Sequence, residues 1–395
     1  MKKKFLSTLL IGSMLVLTFG CAKNNQTDNE GTTSQQETDN SQDDVEETTE
    51  EETTPEPTEE TSETEPQETT EAVVAIEYTI PDGWVYTVNT TGDTFKGGEK
   101  LTTAPRNGDT CQTADYLYTY YNYSSGAGWN ARVLDTGKTQ YEELQAVIAE
   151  KPLVSLYSTF EECSELITSP SIPSSVSSME NTFYLCSSLT TAPVIPEGVT
   201  NMTYTFCACE SLLEAPEIPQ GVGNMYCTFA YCTSMEKSPV LPESVYNMQM
   251  TFIGCSNLKE APVIPNNVKQ LSCTFQDCIS LKTTPVLSDN ISLLEGTFKG
   301  CTGLETIQNI PGGETVLYYA FADCVNLKTV PEIHSEVSSL GYAFKNCTGL
   351  TGNIVINSNT SQYDECFAGV NFEAQNLTLS GSSTILEDLK ATGNN

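Results

Sequence analysis

The run Thr182-Phe183-Tyr184-Leu185-Cys186-Ser187-Ser188-Leu189 returns 23 residues later as Thr205-Phe206-Cys207-Ala208-Cys209-Glu210-Ser211-Leu212. The same spacing holds outward in both directions. Phenylalanine stands at 160, 183, 206, 229, 252, 275, 298, 321, 344 and 367 without an insertion or deletion. Cysteine follows three positions later in nine of these units and fails only at Val370. Leucine follows at six, from Leu166 to Leu350, with Met235 as the single exception. Ile or Leu recurs from Ile172 to Ile356. Val176, Val199, Val222, Val245 and Val268 precede Met179, Met202, Met225, Met248 and Leu271.

A fixed period in this range, with one apolar residue per column, specifies a stack of coils in which each unit buries its columns only against its neighbours. Each coil is expected to contribute a short strand, around Leu189 to Ile195 and its equivalents. Such strands pair in parallel at roughly 4.8 Å, so ten coils make a rod of roughly 45 to 50 Å. The recurring prolines, Pro193 and Pro196 in one coil, belong where the chain leaves the strand. The architecture expected is a right-handed parallel coil stack of short strands, turns and loops.

The Thr182 to Leu189 run, together with Val199-Thr200-Asn201-Met202, resembles the BspA-type leucine-rich repeat of bacterial and protist surface proteins. The likeness covers residues 153–370 and departs from the family in its threonine before most phenylalanines and its doubled prolines. It implies a leucine-rich-repeat solenoid and a role in surface display, adhesion and contact with a host or partner cell. A ligand does not follow, because function on a repeat scaffold lies in its exposed positions.

The chain preceding the repeats reads as an export and anchoring device. Met1-Lys2-Lys3-Lys4 is a basic start, and Phe5 to Gly20 an apolar stretch too short to span a bilayer. Leu17-Thr18-Phe19-Gly20-Cys21 resembles the lipobox of bacterial lipoproteins, with Thr18 in place of the usual leucine. The resemblance implies that residues 1–20 are removed and Cys21 is lipidated, tying the protein to the outer face of the bacterial cytoplasmic membrane.

Residues 21–73 then form an acidic Thr/Glu/Pro-rich tether. From Ala22 to Val73 there are 18 Asp or Glu against Lys23 alone. Such a segment buries too little apolar surface to offset its ordering entropy and is expected to be disordered. Its 52 residues span at most roughly 170 to 190 Å, and its Ser/Thr/Pro content suits O-glycosylation. The net charge is −34, of which −20 remains once the first 73 residues are set aside. Without Lys/Arg clusters, nucleic acid is excluded as a partner class.

Two ends must close the stack. Residues 74–152 are the expected N-terminal cap, β-rich, with strands at Ile76–Ile80, Trp84–Val88 and Tyr116–Tyr123 and a short helix over Tyr141–Ala149. Residues 371–395 are the expected C-terminal cap, with a helical turn within Thr384–Leu389.

Several features bear on chemistry. The cysteine column lacks CxxC pairs, and column neighbours near 4.8 Å are too far apart for the roughly 3.8 Å Cβ separation of a disulfide. It reads as small buried thiols beside the phenylalanines. The off-column Cys111, Cys207, Cys227, Cys273 and Cys366 leave pairing open. The only histidine, His334, replaces a column proline and belongs in an exposed turn. No metal site, cofactor motif or catalytic triad is legible, and a cryptic pair of carboxylates in a hydrolase is the remaining enzymatic alternative.

Two surfaces are candidates for binding. One is the pair of positions after each column leucine, represented by Thr191, Glu214, Lys237, Glu260, Thr283, Thr306 and Thr329, which vary while their neighbours are held by the core. Any solvated face would vary likewise. The other is the aromatic run Tyr116, Tyr118, Tyr120 and Trp129, either an exposed patch for a sugar or partner or a cap strand packed on the first coil. The function expected is non-enzymatic recognition of a surface protein or glycan of a host or neighbouring cell. The alternative is a structural envelope coat.

Overall fold

The computed structural model describes residues 77–393, apart from 124–125, 142 and 145–146. The signal segment, Cys21 and the tether lie outside the described residues.

The phenylalanine column is continuous. Rings from Phe160 to Phe367 stack one on the next with centroids 5.3–5.8 Å apart and planes within 15° of parallel. These nine steps amount to roughly 50 Å along the stack. The cysteine, leucine and valine–methionine columns are buried alongside it as one core.

The backbone that carries each phenylalanine is a chain of tight turns. In the coil of Phe206 the amides of Thr205, Cys207, Cys209 and Leu212 bond back three residues, while those of Met202, Tyr204, Phe206 and Ala208 bond to carbonyls of the next coil. Alternate N–H groups thus serve the coil and the stack, and buried backbone polarity is met without a conventional strand. The geometry requires a left-handed residue two before and two after each phenylalanine. Tyr204 and Ala208 have φ of 54° and 59°, and Cys227 and Tyr231 have 53° and 59°. Left-handed backbone costs a non-glycine residue about 1–2 kcal/mol, offset here by the intercoil bonds it makes possible.

Of the strands expected at Leu189–Ile195 and its equivalents in the repeats, one forms, Gly352–Val355 in the coil of Phe344, where no proline stands between Leu350 and Ile356, and the others do not. Parallel pairing there is reduced to one residue per coil, as in Thr191↔Glu214 and Thr306↔Thr329. The physical reason is proline: Pro193 and Pro196 lack the N–H that would extend the ladder. A second single-residue ladder, Ser178↔Asn201↔Asn224↔Asn247, runs ahead of the methionine column.

A polar column is also buried. Thr182, Thr205, Thr228, Thr251, Thr274 and Thr297 are fully enclosed, and each Oγ1 donates to a carbonyl 26 residues earlier at 2.7–2.9 Å. The threonine that departs from the family pattern is therefore an intercoil fastener.

At the N-terminal end, β1 (Tyr78–Thr79) and β4 (Lys100–Leu101) form a small antiparallel ribbon. A seven-stranded sheet follows in the order β3 (Thr94–Lys96), β2 (Val85–Thr87), β5 (Thr110–Gln112), β6 (Tyr116–Tyr123), β7 (Gly126–Val133), β9 (Lys151–Ser155) and β8 (Val147–Ile148). β7 and β9 are parallel, and Ser155 bridges to Ser178, so the sheet passes directly into the second ladder. The helix expected over Tyr141–Ala149 is replaced at its end by β8, with Ala149 and Glu150 turning at φ 51° and 58°. The β-branched Val147–Ile148 pair finds edge bonds on β9 that a helix stopped by Pro152 could not supply.

Farther along, β10 (Thr315–Val316) pairs in parallel with β11 (Val337–Ser339). At the C-terminal end β12 (Gly352–Val355) pairs in parallel with β13 (Leu377–Ser380). Helix α1 (Leu386–Gly393) buries Leu389, and Phe372 meets Phe367 edge-on at 5.4 Å. Glu373, at the leucine column position, is exposed, and Phe372 is buried beside it.

Candidate binding face

The single-residue ladder after the leucine column places Thr191, Glu214, Lys237, Glu260, Thr283, Thr306 and Thr329 one per coil, and all seven are exposed. Parallel bridges join Thr191 to Glu214, Lys237 to Glu260, and Thr283 through Thr306 to Thr329. The bridges hold the backbone of this column rigid while its side chains stay free to differ.

The column one residue earlier is cross-linked by charge. Lys259 Nζ lies 2.7 Å from Glu236, and Glu305 receives both Lys328 at 2.5 Å and Lys282 at 3.5 Å. Hydrogen bonds from Lys259 and Lys328, reinforced by the charges themselves, hold the Glu236 and Glu305 carboxyls below the usual range. Four of the seven lysines between residues 153 and 370 stand on these two columns, Lys237, Lys259, Lys282 and Lys328. They match Glu214, Glu236, Glu260 and Glu305. In a strongly acidic chain this strip is electrically balanced, so approaching anionic surfaces meet no net repulsion there.

The aromatic run does not form a second surface. Tyr116, Tyr118, Tyr120 and Trp129 are 1–4% exposed. Period-2 alternation along β6 and β7 points them inward, where Tyr86 meets Trp129 edge-on at 6.2 Å. Tyr116 reaches the edge of Phe160 at 6.3 Å and Tyr141 lies 5.4 Å from the same ring. These rings cover the first phenylalanine of the column, which otherwise would face water. The aromatic patch is corrected to core.

The cysteine column is fully buried. Each thiol from Cys186 to Cys347 donates to the carbonyl of the phenylalanine 26 residues earlier, at 3.0–3.2 Å. That carbonyl already accepts an amide of its own coil, so both lone pairs are used. Burial pushes the thiols up, to about 12 at Cys163 and Cys255. They remain protonated donors and poor nucleophiles. Off the column, Cys111, Cys207, Cys227 and Cys366 also carry free buried thiols. Among the described residues no cluster of His, Cys, Asp or Glu could hold a metal ion. His334 is half-exposed, 4.0 Å from Glu332.

A polar centre that the sequence did not flag lies in the N-terminal sheet. Asp109, 2% exposed, accepts the Tyr86 hydroxyl at 2.6 Å and the amides of Asn89 and Arg106. All of its partners are internal, and its role is to fasten the sheet.

One further surface feature was also missed. Val194, Val240, Val263 and Val286, which share a column, are 72–90% exposed. The signal was present: each valine sits directly before the Ile/Leu column, so period-2 alternation turns it outward.

Coils of 23 residues stacked in parallel, one residue per column, define a leucine-rich-repeat protein. The chain belongs to the BspA-type leucine-rich repeat family, whose model, "BspA type Leucine rich repeat region (6 copies)", matches residues 156–282 and 271–389. Among solved structures, it is similar to a leucine-rich repeat protein from Bacteroides ovatus, at 18% identity and TM-score 0.48, covering 71% of this chain and 80% of that one. It is also similar to the T. pallidum leucine-rich repeat protein, at 24% identity and TM-score 0.36, covering 53% and 87%. A leucine-rich cell surface protein of Faecalibacterium prausnitzii matches at 19% identity and TM-score 0.32, covering 75% and 100%. Comparison with curated proteins found no match.

Proposed function

We propose that this protein is a surface lipoprotein that recognises a protein or glycan on a host or neighbouring cell through the column from Thr191 to Thr329. The observation that carries this reading is the charge-balanced, rigidly spaced row of exposed side chains on an otherwise acidic repeat. In this reading Cys21 is lipidated after removal of residues 1–20, and residues 21–73 hold the repeats away from the bilayer. Residues 74–152 and 371–395 close the two ends of the stack. Membership of the BspA-type family supports surface display. No helix among the described residues is long and apolar enough to cross a membrane.

The test is saturable binding of the full mature chain to cell surfaces and glycan arrays, compared with a variant carrying Lys237→Glu, Thr283→Glu and Thr306→Glu. Loss of binding with unchanged unfolding supports the reading. Equal binding by the variant, or none by the parent, overturns it. Ordered self-assembly without a partner would favour an envelope coat.

A further inference from the structure

The exposed valines form a column of their own, three positions after the charge-balanced strip in each coil. Val240, Val263 and Val286 occupy the same position in three consecutive coils and are 90%, 86% and 72% exposed. Scattered exposed apolar residues need no explanation, but a repeated column of them forms one contiguous ridge. Their neighbours in the column are Glu217 and, one coil earlier, Val194 at 88% exposed. Beside Glu217 the coils leave a depression of about 260 Å³, lined by Pro193, Val194, Pro216 and Pro219 among others. The prolines fix the backbone here, so this edge is pre-shaped and loses little entropy when covered.

The charge around the ridge is one-sided. Segments 192–198, 215–221, 238–244, 261–267 and 284–290 contain no lysine or arginine. They carry Glu197, Glu217, Glu243 and Asp289, all exposed. On the strip, by contrast, four lysines stand among four glutamates.

We infer that this Val–Pro edge is a docking surface for a cationic amphipathic polypeptide, whose apolar side chains cover Val240, Val263 and Val286 while its lysines or arginines meet Glu217, Glu243 and Asp289. The alternatives fit the chemistry less well. A second copy of this chain would bring the same carboxylates against themselves, and an anionic lipid surface would meet like charge. A neutral glycan would need aromatic platforms, and none stands on this edge. The valines and their carboxylates are different residues from the strip assigned under the proposed function, so each set can be altered alone and either reading can fail without the other.

The experiment titrates the full mature chain with three fluorescent probes of equal length: an alternating Lys/Leu peptide, oligolysine, and an uncharged Ser/Leu peptide. The Lys/Leu peptide is expected to bind saturably, about tenfold or more tighter than either control, and to weaken as salt rises. The triple variant Val240→Ser, Val263→Ser, Val286→Ser is expected to lose that advantage at least tenfold with its unfolding temperature unchanged, since all three side chains are in water. The pair Glu217→Gln, Glu243→Gln is expected to weaken binding several-fold and flatten the salt dependence. Equal binding of oligolysine, equal binding of the uncharged peptide, or unaltered affinity in the valine variant would each overturn the inference.

Discussion

The thiol of Cys209 donates to the carbonyl oxygen of Phe183, 3.2 Å away and 26 residues earlier in the chain. The same relationship repeats up the stack, so the cysteine column is a row of weak donors tying each coil to the one before. Replacing Cys232 with Ala removes both the packed sulfur and the bond to Phe206. A loss of about 1–2 kcal/mol is expected. Denaturant unfolding of the single variant measures it, and Cys232→Ser should recover part of the loss because a hydroxyl can donate in the same direction.

Alkaline pH should unfold the protein cooperatively. The thiols of Cys163 and Cys255 titrate at about 12 in the fold against 9.0 for an ordinary thiol, because burial disfavours the thiolate. The fold therefore holds protons that the unfolded chain gives up. Stability from these groups is complete below pH 9 and is lost as pH rises from 9 towards 12, at about 1.4 kcal/mol per pH unit for each thiol. Melting curves at pH 7, 9, 10 and 11 check the slope. Thiol-alkylating reagents at neutral pH should leave the column unmodified until denaturant is added.

Gly254 stands, at φ 72°, where seven of the other nine coils place a left-handed non-glycine residue. A Cβ there would lie 2.5 Å from Cδ1 of the Tyr231 ring. Gly254→Ala is expected to cost about 1–2 kcal/mol from backbone strain, with the ring clash added. Combining it with Tyr231→Ala should recover the clash but not the strain, and a double-mutant cycle separates the two. Full additivity would show that the ring is not the obstacle.

A gap in the phenylalanine column should be felt along the stack. Phe252 is fully buried between Phe229 and Phe275, at 5.8 and 5.6 Å. Phe252→Ala is expected to cost about 3–5 kcal/mol. Because each coil contacts only its neighbours, the loss of hydrogen-exchange protection should be greatest in the coils of Phe229 and Phe275 and fade towards the ends. Uniform loss across all coils would show that the stack unfolds only as a whole.

The charged strip should matter for recognition and not for folding. Glu236 and Lys259 pair on the surface with both side chains more than half exposed. Reversing both, Glu236→Lys with Lys259→Glu, should leave the melting temperature unchanged, since exposed pairs contribute little. Cell-surface binding should weaken if the strip is read by a partner, and unchanged binding would place recognition elsewhere.

What the sequence determined by itself was the stack. Ten phenylalanines at one spacing leave a single way to bury them all, so Phe206, Phe229 and Phe252 had to lie ring on ring. The exposed column from Thr191 to Thr329 was legible for the same reason, because a fixed register carries every position with it. Three things were decided only in the tertiary structure, where backbone groups and buried rings find their partners. Alternate amides around each phenylalanine bond forward to the next coil, which makes left-handed turns of Tyr204 and Ala208, while Pro193 and its equivalents reduce strand pairing to single residues in the coils that carry them. The spare lone pair of each phenylalanine carbonyl gives the column thiols their purpose. Tyr116 and Trp129 could have faced water or core, and the uncovered ring of Phe160 at the head of the column settled which.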